Sequence, residues 1–298
     1  MVTSTPVDGE PAARSSRTGR RVPLSWLGVV PFLAYIGLFL LLPTVLVVVQ
    51  AFADPDGRPT LDNVRALSES YVLTAFWRSI ELSFVTALVG AVLGALLAYL
   101  LVSGPADGFV RRVATAAAGV LAQFGGVTLA FAFIVSVGNQ GLITLLLQNI
   151  GIGASGGWLY QMSGLIVVYL YFQIPLMVLV FLPALDGVKP QWREATESLG
   201  GNSWAYWRHV AVPLLTPPFL GAFLLLFANA FAAYATAAAL ISQGGVIIPL
   251  QIRAAITSET VLGRENVANA LALGMVIVVA VAMALYSWMQ RRSARWLQ

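Results

Sequence analysis

The chain has no cysteine, a single histidine and few charged residues. The absence of cysteine excludes disulfides, thiolate metal sites and cysteine catalysis. His209, being alone, cannot form a histidine metal cluster. Charged residues make up 10% of the 298 positions, whereas soluble domains carry about 25%. The composition therefore excludes a water-soluble protein, and the net charge of +4 gives no indication of nucleic-acid binding.

Apolar residues are abundant instead, at 58% of the chain. They occur in blocks of about 20 residues, the length that a helix needs to cross a bilayer. Each block must be helical, because lipid cannot satisfy exposed backbone polar groups. The predicted fold class is an all-α polytopic membrane bundle of six transmembrane helices. The predicted spans are Leu24–Ala51, Ile80–Val102, Val113–Val137, Gly164–Ala184, Pro213–Ile241 and Val267–Met289.

Basic residues cluster in alternate loops, which predicts the orientation of the chain. They occur in the N-terminal arm, at Arg111 and Arg112, at Lys189 and Arg193, and in the C-terminal tail. Both termini are therefore predicted to be cytoplasmic. Residues 1–22 are predicted to be a disordered basic arm, and residues 23–298 to be the transmembrane domain. The first apolar run is longer than the 7–15 residues of a signal peptide, so an uncleaved helix is expected.

The predicted spans contain uncharged polar side chains but no ionisable ones in their interiors. These side chains either hydrogen-bond a neighbouring helix or line a path for a polar solute. The composition excludes a proton relay or a voltage sensor, so uphill transport needs another energy source. The candidates for the path are Gln123, Asn139, Gln173 and Asn229.

One stretch, EATESLGGNSWAYWRHVAVPLLTP (Glu194–Pro217), is polar and rich in aromatic residues. Pro190 permits a helix to begin, and Gly200-Gly201 is a typical helix stop. Asn202 or Ser203 is a suitable cap for a second helix, which leads into span five. The pattern predicts a short cytoplasmic helix, a glycine hinge and an aromatic segment that enters the membrane. An ordinary interfacial loop is the alternative.

This stretch resembles the EAA loop of ABC importer permeases. The family pattern is Glu-Ala-Ala, three residues, Gly, nine residues, Ile-x-Leu-Pro. The chain has Glu194-Ala195-Thr196, then Gly200, then Val210-Ala211-Val212-Pro213, with the full spacing. Thr196, Val210 and Val212 depart from the pattern by small or apolar replacements. Six spans with both termini inside also match the family.

The resemblance implies that residues 186–212 form a coupling loop that contacts a cytoplasmic ATPase. Glu194 and Ala195 would contact the ATPase beside Thr196 and Glu197, Gly200 would form the turn, and Pro213 would mark re-entry into the membrane. The chain contains no Gly-x-x-x-x-Gly-Lys-Ser/Thr phosphate loop. It is therefore expected to be a transport subunit and not an enzyme, with no cofactor of its own and ATP–Mg bound on the ATPase subunits.

The resemblance also implies further partners: a second permease subunit, identical or homologous, an extracytoplasmic solute-binding protein and the lipid of the cell (inner) membrane. Ser198-Leu199-Gly200-Gly201 and the run from Trp77 are similar to polyamine-type permeases. A polyamine or aminophosphonate is the expected solute. The alternatives are a sugar-type ABC permease, a stand-alone facilitator, and a membrane enzyme, for which no cluster of catalytic residues is found.

Overall fold

The structure is a computed structural model that describes residues 25–54, 56–105, 107–153, 155–241, 247–257 and 265–294. Within these ranges the chain is helical apart from its loops and one isolated antiparallel bridge between Ala53 and Pro59. The predicted all-α class is confirmed. The predicted N-terminal arm, residues 1–22, lies outside the described residues.

The first compact unit of the chain ends at Leu46. Helix α1 (Ser25–Ile36) runs into a π-helical turn (Gly37–Leu41), and α2 (Leu42–Ala51) follows. Pro43 is the second residue of α2. A proline has no N–H to donate and its ring clashes with the carbonyl four residues earlier. The wider turn before Pro43 accommodates this clash, while Pro31 remains within α1.

The second unit, from Val47 onward, contains the other five spans. In the described part of the chain, six helical stretches are long and apolar enough to cross a membrane, as predicted. The first helices of this unit after α2 are α3 (Asp62–Arg65), α4 (Ser70–Val102), α5 (Phe109–Gln123), α6 (Gly126–Val137), α7 (Leu142–Asn149) and α8 (Met162–Asp186). They are followed by α9 (Pro190–Ser198), α10 (Ser203–Tyr206), α11 (Val212–Ala232), α12 (Ala235–Leu240), α13 (Ile248–Thr257) and α14 (Glu265–Ala294).

Helices α4, α8 and α11 pack against one another and form the centre of the second unit. Gly90 and Gly94 on α4 allow α8 to approach closely. A Cβ atom at Gly94 would lie 2.5 Å from Cβ of Met177 and 2.7 Å from the backbone oxygen of Ile174. Close approach through small residues is the usual packing mode of membrane helices, because lipid gives no hydrophobic drive for association.

Three predicted spans differ from the observed helices. One of them, Pro213–Ile241, is divided into α11 and α12 at Ala233 and Tyr234. Span two was predicted from Ile80, but α4 begins at Ser70. Charged Arg78 and Glu81 end the apolar run without ending the helix, because charge limits insertion in lipid and not helix formation. The predicted third span, Val113–Val137, is two helices, α5 and α6, that are separated at Phe124 and Gly125. The apolar stretch that is long enough to cross a membrane begins at Gly126 and continues through α6 and α7 to Asn149.

Candidate functional site

Helix α9 lies at the end of the bundle where α8 ends and α11 begins, referred to below as the α9 end. Pro190 occupies its first turn, where a missing N–H has no cost. Glu194, Ala195 and Glu197 are exposed, and Glu197 accepts a hydrogen bond from Arg193 Nε at 3.1 Å. The predicted contact residues on α9 are therefore available to a partner.

The glycine pair after α9 forms a Schellman motif. Gly201 N donates to Thr196 O at 2.9 Å, and Gly200 N donates to Glu197 O at 3.0 Å. Gly200 has φ of +80°, a conformation that is costly for residues with a Cβ. A Cβ on Gly201 would lie 2.7 Å from Cγ2 of Thr196. Thr196 is therefore turned toward the hinge, which explains its partial burial.

A second helix returns the chain to the bundle directly after the hinge. Asn202 caps it, because Oδ1 accepts from Ala205 N at 2.9 Å. The four-residue α10 continues through a π-helical turn, Trp207–Ala211, into α11. Pro213 is the second residue of α11, as Pro43 is of α2. Both prolines follow a π turn, for the same steric reason.

Three apolar side chains cover the outer surface of this loop. Leu199 is 89% exposed, Trp204 is 70% exposed and Trp192 is 36% exposed. We call Trp192, Leu199 and Trp204 the apolar crown. Large apolar groups exposed on a polar loop indicate an interaction surface. The predicted contact residues do not include Trp192 or Leu199, although a leucine between Ser198 and Gly200 is out of place in a polar turn.

The aromatic segment behind the crown attaches the loop to α4. Tyr206 is buried, and the rings of Trp207 and Tyr99 meet edge to face with centroids 5.5 Å apart. Trp207 also packs against the buried cluster around Leu185 and Leu215. Movement of the hinge would therefore act on the membrane helices through packed side chains.

The four predicted path residues occupy three different environments. Gln173 is fully buried, and its Nε2 donates to Leu226 O on α11 at 2.8 Å. Its Oε1 has no hydrogen-bond partner within the described part of the protein. Gln123 ends α5 and is exposed, as is Asn229 on α11. Asn139 lies beyond the end of α6, in a turn at the opposite end of the bundle.

Two helix breaks lie side by side within the bundle. The first separates α5 from α6 at Phe124 and Gly125, and the second separates α11 from α12 at Ala233 and Tyr234. Thr236 Oγ1 donates to Gly126 O across them at 3.2 Å. The hydroxyl of Tyr169 donates to Ala233 O at 2.6 Å. These bonds satisfy backbone groups that a break exposes, as irregular backbone at membrane depth requires.

The paired breaks bring two of the predicted path residues into one region. Gln123 immediately precedes the first break, and Asn229 lies one helical turn before the second. Gln173 is not part of this group, because its side chain is enclosed between α4, α8 and α11. Where the structure is described, no three His, Asp or Glu side chains gather in a way that could hold a metal ion.

Comparison with known protein families gives one match over most of the chain. The family model described as binding-protein-dependent transport system inner membrane component matches residues 90–298. This range includes α5 to α14 and the whole of the α9–α10 loop. The first 89 residues lie outside the matched range.

Curated relatives are permease proteins with different named solutes. A Haemophilus influenzae protein named for ferric transport, the permease protein FbpB 1, is 26% identical over 86% of this chain. The sulfate transport permease CysW of Escherichia coli is 26% identical over 84% of this chain and 83% of its own length. The thiamine permease ThiP of Escherichia coli is 28% identical over 63%. The chain spans 40% of FbpB 1 and 34% of ThiP.

Solved structures show that the fold is shared. A chain from a bacterial ABC transporter that imports the polysaccharide alginate superposes with a TM-score of 0.74 at 18% identity. The match covers 90% of this chain and 95% of that one. A chain of the MetNI methionine ABC transporter gives a TM-score of 0.57 over 75% of this chain, at 17% identity. At these identities the likeness establishes the membrane helix bundle.

Proposed function

Since the chain belongs to the family of binding-protein-dependent transport system inner membrane components, we propose that it is the permease subunit of an ATP-driven importer whose α9–α10 loop receives the motion of an ATPase. The observation that carries the proposal is the hinge itself. A Schellman turn and a capped second helix fix the conformation of the loop, the apolar crown is exposed on it, and Trp207 packs against Tyr99 of α4.

The proposed occupant of the loop is a cytoplasmic ATPase subunit, which would bind and hydrolyse ATP–Mg. The apolar crown would enter a groove on that subunit, and Glu194 would contact its polar rim. Interfaces commonly have an apolar centre, enriched in tryptophan, and a polar margin. We propose that the α9 end and both termini lie in the cytoplasm, as the distribution of basic residues among the loops predicts.

A second permease, identical or homologous, is proposed to cover the face that carries Gln123 and Asn229. Both amide side chains are exposed in this single chain, in the middle of predicted spans. An amide that faces lipid without a hydrogen bond is costly. A partner subunit with a polar path between the two chains would satisfy these groups. The paired breaks would then lie beside the path.

The solute is proposed to be small and polar, delivered by an extracytoplasmic binding protein. The relatives are named for ferric iron, thiamine and sulfate. The expectation of a polyamine or aminophosphonate rests on Ser198-Leu199-Gly200-Gly201 and on the run from Trp77, and it stays a prediction. The exposed amides beside the breaks could donate hydrogen bonds to such a solute and accept hydrogen bonds from it.

The first test is purification of the tagged chain from its native membrane in mild detergent, with its partners identified by mass spectrometry. We expect an ATPase subunit and a second permease chain. Recovery of the chain alone in every detergent, together with solute flux through liposomes that contain it alone, would indicate a facilitator and refute the proposal.

The second test compares charge reversal at the two ends of the bundle. Glu194→Arg should abolish ATPase co-purification and transport, since it reverses the charge and enlarges the side chain at the proposed contact. Gly200→Trp should have the same effect through the hinge. Glu69→Arg, the same charge change at the exposed residue before α4, should leave both unchanged. Equal behaviour of Glu194→Arg and Glu69→Arg would refute the role of α9.

A further inference from the structure

One ion pair joins helices α5 and α8 at the α9 end. Arg111 Nη2 on α5 donates to Asp186 Oδ2 on α8. The Arg111 side chain is 17% exposed and the Asp186 side chain 43%. The other two ion pairs in the described ranges, Asp62–Arg65 and Arg193–Glu197, each lie within a single helix. Arg111–Asp186 is therefore the charge contact that ties separate helices together.

The helix ends themselves do not favour these two charges. Arg111 is in the first turn of α5, and Asp186 is the last residue of α8. A helix stabilises negative charge at its N-terminus and positive charge at its C-terminus. Each charge is thus at the less favourable end of its own helix. The contact between the two side chains, and not capping, accounts for their positions.

Asp186 lies shortly before α9 in the chain. Only Gly187, Val188 and Lys189 separate it from α9. Gly187 N donates to Pro183 O at 3.1 Å and Val188 N to Leu185 O at 3.1 Å, so the connection is bonded back onto α8. A displacement of α9 therefore reaches Asp186 through a short, hydrogen-bonded segment.

Helix α5 extends from the ion pair to the paired breaks. Its 15 residues form a rod of about 22 Å that contains no proline and packs along α8. The rod ends at Gln123. Gly126, which follows with φ of +71°, is bonded through its carbonyl oxygen to Thr236. One end of α5 is thus held at the α9 end and the other lies beside α12.

We propose that Arg111 and Asp186 are positioning residues for transport, whose ion pair makes α5 follow α9 and so carries ATPase motion to the paired breaks. This inference rests on the proposed importer function. The two sides of the coupling loop then drive different helices. The residues before α9 act on α5 through the ion pair, and the residues after it act on α4 through Trp207 and Tyr99.

The test measures the distance between spin labels on Gln191→Cys in α9 and Val120→Cys in α5. The chain has no cysteine of its own, so labels attached before the ATPase is added back report only these sites. In the assembled complex we expect the distance to be the same without nucleotide and with ATP–Mg and vanadate. In Arg111→Ala and in Asp186→Ala it should shift by about 2 Å or more on ATP binding, because α9 moves without α5.

The charge-swapped double variant Arg111→Asp with Asp186→Arg separates coupling from folding. It restores an opposite-charge pair and puts each charge at the favourable helix end. We expect the distance to be insensitive to nucleotide again, as in Arg111→Lys. Arg112→Ala is the matched control, since it removes an exposed arginine that joins no ion pair in the described part of α5. It should behave as the unaltered chain.

Three results would overturn the inference while the importer function stands. The first is a distance that changes with ATP in the unaltered complex. The second is that the single variants and the swap all behave like the unaltered chain. The third is that the charge-swapped variant behaves like the single variants. If no ATPase joins the unaltered chain, the proposed function fails and the coupling role fails with it. Co-purification of the unaltered chain distinguishes the two cases.

Discussion

Gly94 in the centre of the bundle and Gly200 at the α9 hinge both exclude larger residues, but for different physical reasons. At Gly94 the backbone is helical and space is absent, since a Cβ would lie 2.5 Å from Met177. At Gly200 space is available, with no atom within 4 Å of a Cβ, but φ is +80°. Packing therefore restricts which residues fit at position 94, whereas backbone conformation restricts which residues fit at position 200. Changes in the centre should damage folding, whereas changes at the hinge should damage coupling in a folded protein.

The largest effect is expected for Gly94→Ala. The added Cβ meets the backbone oxygen of Ile174 as well as Met177, so a side-chain shift cannot relieve the overlap. Overpacking of this kind costs about 1–3 kcal/mol. The melting temperature of the detergent-solubilised protein should fall. Gly119→Ala on α5, where a Cβ meets no atom within 4 Å, is the control and should be neutral or stabilising. Equal melting temperatures would contradict the comparison.

Gly200→Val should produce the next largest effect, on coupling and not on folding. A residue with a Cβ in this conformation costs about 1–2 kcal/mol, and more when it is β-branched. ATPase co-purification should fall about tenfold while the melting temperature is retained. Gly200→Asn should keep most of the binding, because asparagine tolerates positive φ. A loss of folded protein in Gly200→Val would show that the hinge also stabilises the bundle.

Asn202→Ala should weaken the hinge by a smaller amount. It removes the acceptor of the Ala205 N–H, a cap that contributes about 1 kcal/mol. Hydrogen exchange of the α10 amides should accelerate about fivefold, the factor that corresponds to this free energy. Asn202→Asp keeps the acceptor and should show unchanged exchange. If the α10 amides of Asn202→Ala exchange as slowly as those of the unaltered chain, packing of Tyr206 alone holds α10.

The smallest effect is expected for Gln173→Leu. The change removes the hydrogen bond to Leu226 O but also the unpartnered Oε1. Hydrogen bonds between membrane helices contribute about 0.6 kcal/mol on average to stability. Removing the buried, unpartnered Oε1 of Gln173 offsets part of this loss. The melting temperature should change little. A changed apparent affinity for solute in the complete importer would instead place Gln173 on the path.

The α9–α10 loop could be predicted closely because its signals are local. A proline begins α9 and the glycine pair ends it, as predicted, and the cap of α10 is Asn202, one of the two residues predicted for it. The facing of the polar span residues could not be predicted in this way. Gln173 and Asn229 look alike in sequence, yet one is enclosed by α4 and α11 while the other is exposed. Only tertiary packing separates them.

Helix breaks in the spans are poorly marked by proline. Pro31 remains within α1, and Pro175 and Pro183 remain within α8. The break at Ala233 and Tyr234 contains neither proline nor glycine. It is held by two hydrogen bonds, from the Tyr169 hydroxyl to Ala233 O and from the Thr236 hydroxyl to Gly126 O. Its position is set by residues distant in sequence. In span three, a glycine such as Gly125 is a typical signal of irregular backbone, but it does not by itself predict that the span becomes two helices.

The charges of Arg111 and Asp186 lie against the preference of their helix ends, and this has a consequence for how the sequence can change over generations. Loss of either charge alone leaves an unfavourable charge at the end of a helix. Loss of both, or exchange of the two, removes that cost. Among related permeases with this packing, the two positions should therefore vary together, although 75 residues separate them along the chain.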